Sequence, residues 1–153
     1  MKKLFFLLIS ITFSLGLMAQ KINFVDVSQD FESFQSNEPF EKVFSSQKQF
    51  FQFCEENRIN PPTQFSFPNI DFSKNYLVFI CSGIHRNGGT SLEINKMSKG
   101  KSGLLINFTV RNPQPGCPVT DAITYPIRVA TVKKFSGLGK PKFSSRMILV
   151  PCL

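Results

Sequence analysis

The spacing of apolar side chains changes twice along the chain, and each change predicts a different element. From Ser46 to Arg58, Phe50, Phe53 and Cys54 recur at helical spacing with Phe51 beside them, while Glu55, Glu56 and Arg58 stay outside. Ser46 can cap the helix, and Gln49 follows three residues on, in capping-box position. Asn60-Pro61-Pro62 is expected to stop it, since proline cannot donate and restricts the residue before it. From Tyr76 the period becomes two: Leu77, Phe79 and Cys81 share one face, and Val78 and Ile80 the other. Further strands are predicted at Ile22–Val27, Glu41–Phe44, Thr90–Met97, Leu104–Val110, Ile127–Val132 and Met147–Val150, and the segment Ser28–Phe40 reads as loop or bent edge. Gly88-Gly89, the Lys99–Gly103 stretch and a Pro/Gly loop at Asn112–Ala122 supply turns. The fold class that follows is α+β: an antiparallel twisted sheet or small β-barrel with one main helix packed on it, as a single domain over 20–153.

The first nineteen residues stand apart. Lys2 and Lys3 precede an apolar run from Leu4 to Met18, shorter than the ~20 apolar residues a spanning helix needs. This is the pattern of a secretory signal peptide. Gln20 stands where a lipoprotein box would place its Cys, so the expectation is a soluble exported protein, periplasmic or extracellular, with no membrane span and no lipid anchor. The chain has 18 Lys and Arg against 10 Asp and Glu, a net charge of +8. The imbalance is uneven. Residues 20–93 hold six basic and nine acidic side chains, and residues 94–153 hold ten basic and only Asp121 acidic. Either the second half is a solvated basic face, or it meets an anionic partner such as an envelope polymer. Nucleic acid is not expected, because the cations are dispersed and lack interleaved aromatics. Twelve of the 18 Phe lie between Phe24 and Phe79, which predicts a Phe-built core in a chain without Trp.

Cys54, Cys81, Cys117 and Cys152 contain no C-x-x-C pair, which argues against a redox motif or a zinc knuckle. Export favours disulfides, and four Cys allow three connectivities. A Cys117–Cys152 bond would tie a loop to the tail. Cys54 and Cys81 both fall on predicted apolar faces, where they either pair or remain small buried side chains. His85 is the lone histidine, so any metal site or relay needing two is excluded. Cys81 is four residues from His85 in a strand, a spacing that does not join nucleophile to base. The chain also lacks G-x-S-x-G, H-E-x-x-H and phosphate-loop patterns. No cofactor, metal or catalytic residue is expected.

Two stretches resemble the C-terminal domain of PrcB, an accessory subunit of a bacterial cell-surface protease complex. One is Ile70-Asp71-Phe72-Ser73-Lys74-Asn75-Tyr76-Leu77-Val78-Phe79 with Gly83 and the Gly88-Gly89 turn. The other is Pro115-Gly116-Cys117-Pro118-Val119-Thr120 running into Ala122-Ile123-Thr124-Tyr125-Pro126-Ile127. The likeness covers roughly residues 70–135. Asn87 stands for the family's Thr before the double glycine, Thr90 for the Tyr after it, and Ile127 for the Tyr after Pro126. The resemblance implies a non-enzymatic role in assembling or supporting a secreted protease.

The residues and the resemblance point to the same two irregular segments, Gly83–Gly89 and Pro113–Pro126. Loops on a rigid sheet are where binding concentrates, and glycine lets a backbone approach a partner. If both loops project from one end, Gly83, His85, Arg86, Asn87, Gly88, Gly89, Tyr125 and Pro126 form one polar, partly cationic rim for a protein partner, possibly a protease. The competing expectations are a loop-wedge protease inhibitor and a binder of anionic envelope polymers.

Overall fold

The computed structural model describes residues 19–60, 67–101 and 103–152. The predicted signal segment up to Met18, and Pro61 and Pro62 of the predicted helix stop, lie outside the described residues. Among the described residues, eight strands form two four-stranded sheets. The first sheet joins β1 (Gln20–Ile22), β5 (Ser91–Gly100), β6 (Gly103–Pro113) and β8 (Lys142–Val150), in that order. The second joins β2 (Phe24–Asp26), β7 (Ile127–Lys133), β4 (Asn75–Cys81) and β3 (Phe40–Phe44).

The alternation in β4 explains why the layers stack as they do. Leu77, Phe79 and Cys81 face a core shared with the helix α1 (Gln47–Glu56), whose Phe50, Phe53 and Cys54 are buried against them. Val78 and Ile80 face the opposite core, made with Leu92, Ile94, Met97, Leu104, Ile106 and Phe108 of the first sheet. β4 is therefore buried on both faces, and the molecule has three layers: helix, sheet, sheet. Most of the phenylalanines gather in the helix-side core, where Phe34 and Phe79 sit 4.6 Å apart and Phe31 meets Phe79 edge to face. Each fully buried Phe contributes roughly 1.5–3 kcal/mol.

Three differences from the sequence expectation have physical reasons. The single sheet or closed barrel is replaced by two sheets that do not close. The segment expected as one strand is divided by Asn23, with Ile22 opposite Met97 in one sheet and Phe24 opposite Val132 in the other, so it staples the layers along one side. On the other side the edge strands β3 and β8 do not pair. Secondly, β8 runs parallel to β6, from Leu105 opposite Lys142 to Pro113 opposite Val150. It arrives from the other sheet by a crossover, so no hairpin turn announces it. Thirdly, α1 ends before the prolines. Arg58 adopts a left-handed φ of 55°, and Ile59 N donates to Cys54 O at 2.8 Å while Arg58 N donates to Glu55 O at 3.2 Å. That paired reversal satisfies the last carbonyls without proline. At the start, Ser46 caps as expected, accepting from Gln49 N at 3.2 Å, but Gln49 Oε1 reaches back to Ser45 N and not to Ser46 N.

No helix among the described residues is long and apolar enough to cross a membrane.

Candidate functional site

Gly83–Gly89 follows β4, and Pro113–Pro126 joins β6 to β7, so β4 and β7, neighbours in one sheet, fix where both loops sit. Cys81 lies opposite Ile127 at the last pair of that ladder, which brings the two loops to the same end. Beyond it they pair with each other. His85 and Thr124 exchange backbone hydrogen bonds at 2.8 Å each way, and Gly88 N donates to Thr120 O at 2.9 Å. Thr124 Oγ1 donates to the Asn87 carbonyl at 3.0 Å, and Ser82 N donates to Pro126 O at 3.1 Å. All eight predicted rim residues are therefore drawn into one two-loop platform.

Their roles within it differ. Gly83 sits at φ +77° with the Asn37 carbonyl oxygen only 2.8 Å from where a Cβ would stand. It is required by the backbone, and it locks this loop to the 35–40 segment through Ile84 N and Asn37 O, 3.2 Å apart. Gly89 is pressed against the Pro113 ring, 2.9 Å from a hypothetical Cβ. Arg86 and Gly88 are exposed, while His85, Asn87, Tyr125 and Pro126 are half-buried. Tyr125 borders a hollow of about 430 Å³ lined also by Asn37, Phe40 and Phe53. The side-chain oxygen of Asn87 is buried and meets no donor among the described residues.

The imidazole of His85 is held from both sides. Thr90 Oγ1 lies 3.1 Å from Nδ1 and donates to Asn112 Oδ1 at 3.0 Å, so it accepts from Nδ1–H. Nε2 lies 3.1 Å from Ser82 Oγ, from which it can accept. This chain ties the end of β4 to the start of β5 and to β6. Sequence reading weighed His85 against Cys81 and missed Ser82, Thr90 and Asn112. Their signal was available only in part, as hydroxyl and amide residues at strand ends. Cys81 instead points into the helix-side core, its thiol pKa raised mainly by burial.

Cys117 and Cys152 form a disulfide with Cα atoms 5.3 Å apart, and Gln114 N donates to Val150 O at 3.0 Å. The second loop is thereby clamped to the end of β8. Cys54 and Cys81 are unbonded and buried, which corrects the disulfide option for that pair: each faces apolar packing as a small hydrophobe. Burial pushes the Cys54 thiol up to about 12. Among the described residues, no group of three or more His, Cys, Asp or Glu side chains could hold a metal ion.

The lead-in to β4 has its own local logic. Asp71 accepts from Ser73 N at 3.0 Å and from the Ser73 hydroxyl, and Lys74 lies 3.0 Å from its other oxygen. These hydrogen bonds, that from the Ser73 hydroxyl first, lower the Asp71 pKa to about 2. The Asp-Phe-Ser-Lys sequence is thus a side-chain-closed turn that starts the central strand.

Residues 76–133 match the family model described as PrcB C-terminal. The matched span runs from β4 to the end of β7 and so contains both paired loops. No curated protein and no solved structure matches the chain.

Proposed function

We propose, for a chain whose residues 76–133 belong to a PrcB C-terminal-like family, that it is a non-enzymatic exported accessory protein. In this reading it docks a protein partner, a secreted or surface protease among the candidates, through the two-loop end. The observation that carries this is the pairing of His85 with Thr124, which turns two irregular segments into one braced surface. A surface already ordered loses less conformational entropy when it binds. Arg86 supplies exposed charge there, and Ile84 and Ile123, 41% and 63% exposed, supply apolar contact. The His85 ring serves as a brace in this reading, with Ser82 and Thr90 as its neutral partners.

The test is affinity capture of the tagged mature protein from native cell-envelope extract, comparing the natural chain with Arg86→Glu. A stoichiometric protein retained by the first and lost by the second supports the reading. Retention of the same protein by both variants counts against the two-loop end.

A braced loop also suits a wedge-type protease inhibitor, and the exposed Val119 and Ile123 are the side chains it would insert. Unchanged activity across a protease panel removes that alternative. Binding of an anionic envelope polymer would draw on the basic second half of the chain and would weaken steeply with salt.

A further inference from the structure

We infer that the open side of the sandwich, the β8 edge with the cleft beside it, takes up an extended strand of a partner protein whose side chains alternate apolar and acidic. The inference rests on the reading of the chain as a binding protein; its surface adjoins the two-loop end, where Ser82 and His85 reach the cleft, but leaves out the contact residues Ile84, Arg86 and Ile123.

Among the described residues, no strand pairs with the outer side of β8 or of β3. β8 therefore offers nine residues of backbone, with donors and acceptors unused along one side. Between the two edges lies a cleft of about 490 Å³, with Ile80, Leu92, Phe108 and Val110 in its lining and Met147 at its rim. The register says which β8 side chains face it. Phe143, Ser145 and Met147 lie opposite Ile106, Phe108 and Val110, the inward row of β6. The second sheet does not reach over the end of this row, which leaves Met147 69% exposed and the following inward residue, Leu149, 52% exposed. A strand added at β8 would cover them with every second side chain.

The intervening side chains would lie on the outer row, beside Lys142 and Arg146. Both cations are exposed, and neither has a carboxylate within ion-pair distance among the described residues; Arg111 nearby is paired with Glu93 at 2.8 Å. Acidic residues on the outer row would meet them directly. The cleft side selects the opposite character, because it already holds Glu41, opposite Ile80 on the inward face of β3. An inward acid would face that carboxylate in an apolar setting. Alternation thus follows from the two rows and not from the total charge. A second copy of the chain is the wrong occupant, since β8 beside β8 would place two Lys142–Arg146 rows on one face. The disulfide and the Gln114–Val150 hydrogen bond pin the end of β8, so the edge is ordered before a strand arrives.

The experiment is selection of short random peptides on the full mature chain, followed by hydrogen exchange of the complexes. Enriched peptides are expected to alternate acidic and apolar residues and to protect β8 amides. The Lys142→Glu/Arg146→Glu variant should weaken them by about tenfold and favour peptides alternating basic and apolar residues. Met147→Asp should weaken both classes, and N-methylation of alternate peptide amides should abolish binding. Arg86→Glu should leave peptide affinity unchanged. No enrichment, or peptides that protect the two loops and not β8, overturns the inference. So does binding that dextran sulfate displaces and that ignores Met147→Asp, which would make the row a polyanion site. If the peptides fail while the two-loop end still retains a partner, strand addition alone falls.

Discussion

The main chains of His85 and Thr124 exchange two hydrogen bonds of 2.8 Å across a sequence gap that spans β5 and β6. That bridge converts a strand-end loop and a crossover loop into one unit. It also separates residues that hold the platform, such as Gly83, from exposed ones such as Arg86.

Gly83→Ala and Gly88→Ala should behave differently. At Gly83 a side chain meets backbone and a positive φ, so Ala is expected to destabilise by about 1–3 kcal/mol. At Gly88 the nearest obstacle is the Thr120 hydroxyl, which can rotate away. Gly88→Ala should therefore change stability by less than Gly83→Ala. Urea unfolding of the two variants checks this, and equal losses would mean that the Gly83 backbone is not a fixed point.

His85→Ala should act on stability. It removes the contacts of the ring with Ser82 and Thr90 and is expected to cost about 1–2 kcal/mol. His85→Gln, which can restore one of the contacts, should recover part of the loss. A variant of unchanged stability that loses partner binding outright would instead place the ring at the contact.

Replacing Cys117 and Cys152 by Ser should cost about 2–4 kcal/mol, because the unfolded chain regains the freedom of a long closed loop. Faster hydrogen exchange should be confined to the Pro113–Pro126 loop and the end of β8, with β4 protected as before. Loss of protection throughout β4 would show that the clamp supports the whole sandwich.

Asp71 should make a pH-dependent contribution. Its folded pKa is about 2, below the ordinary 3.8, so its stabilisation is complete above the unfolded value and disappears as pH falls through about 2. Thermal unfolding of the natural chain and Asp71→Asn should differ near neutrality and converge at the acid end. A gap that persists below pH ~2 would mean the carboxylate charge is not what holds the turn.

Much of this architecture could be read from residue spacing. The two-faced β4 was legible because Leu77, Phe79 and Cys81 alternate with Val78 and Ile80, and α1 because Ser46 and the Phe50–Cys54 face mark its start and its buried side. The parallel β8 was legible only at its apolar end, since Lys142 to Arg146 is a polar edge that no local period distinguishes from loop. The division at Asn23 carries no local signal either, because the choice between sheets depends on Met97 and Val132, far away in sequence. The rim residues could be named from their loops, but their joining through Thr120 and Thr124 needed the sheet to bring the loops together.

Docking of a partner at the two-loop end, as proposed, requires Arg86 to lie within reach of that partner. The most direct measurement places a photo-crosslinking residue at Arg86, and separately at exposed Lys48 on the outer face of α1, in the chain expressed in its own cells. The account predicts one discrete protein adduct from position 86 and none from position 48. An adduct from position 48 alone, or none from either, would contradict it.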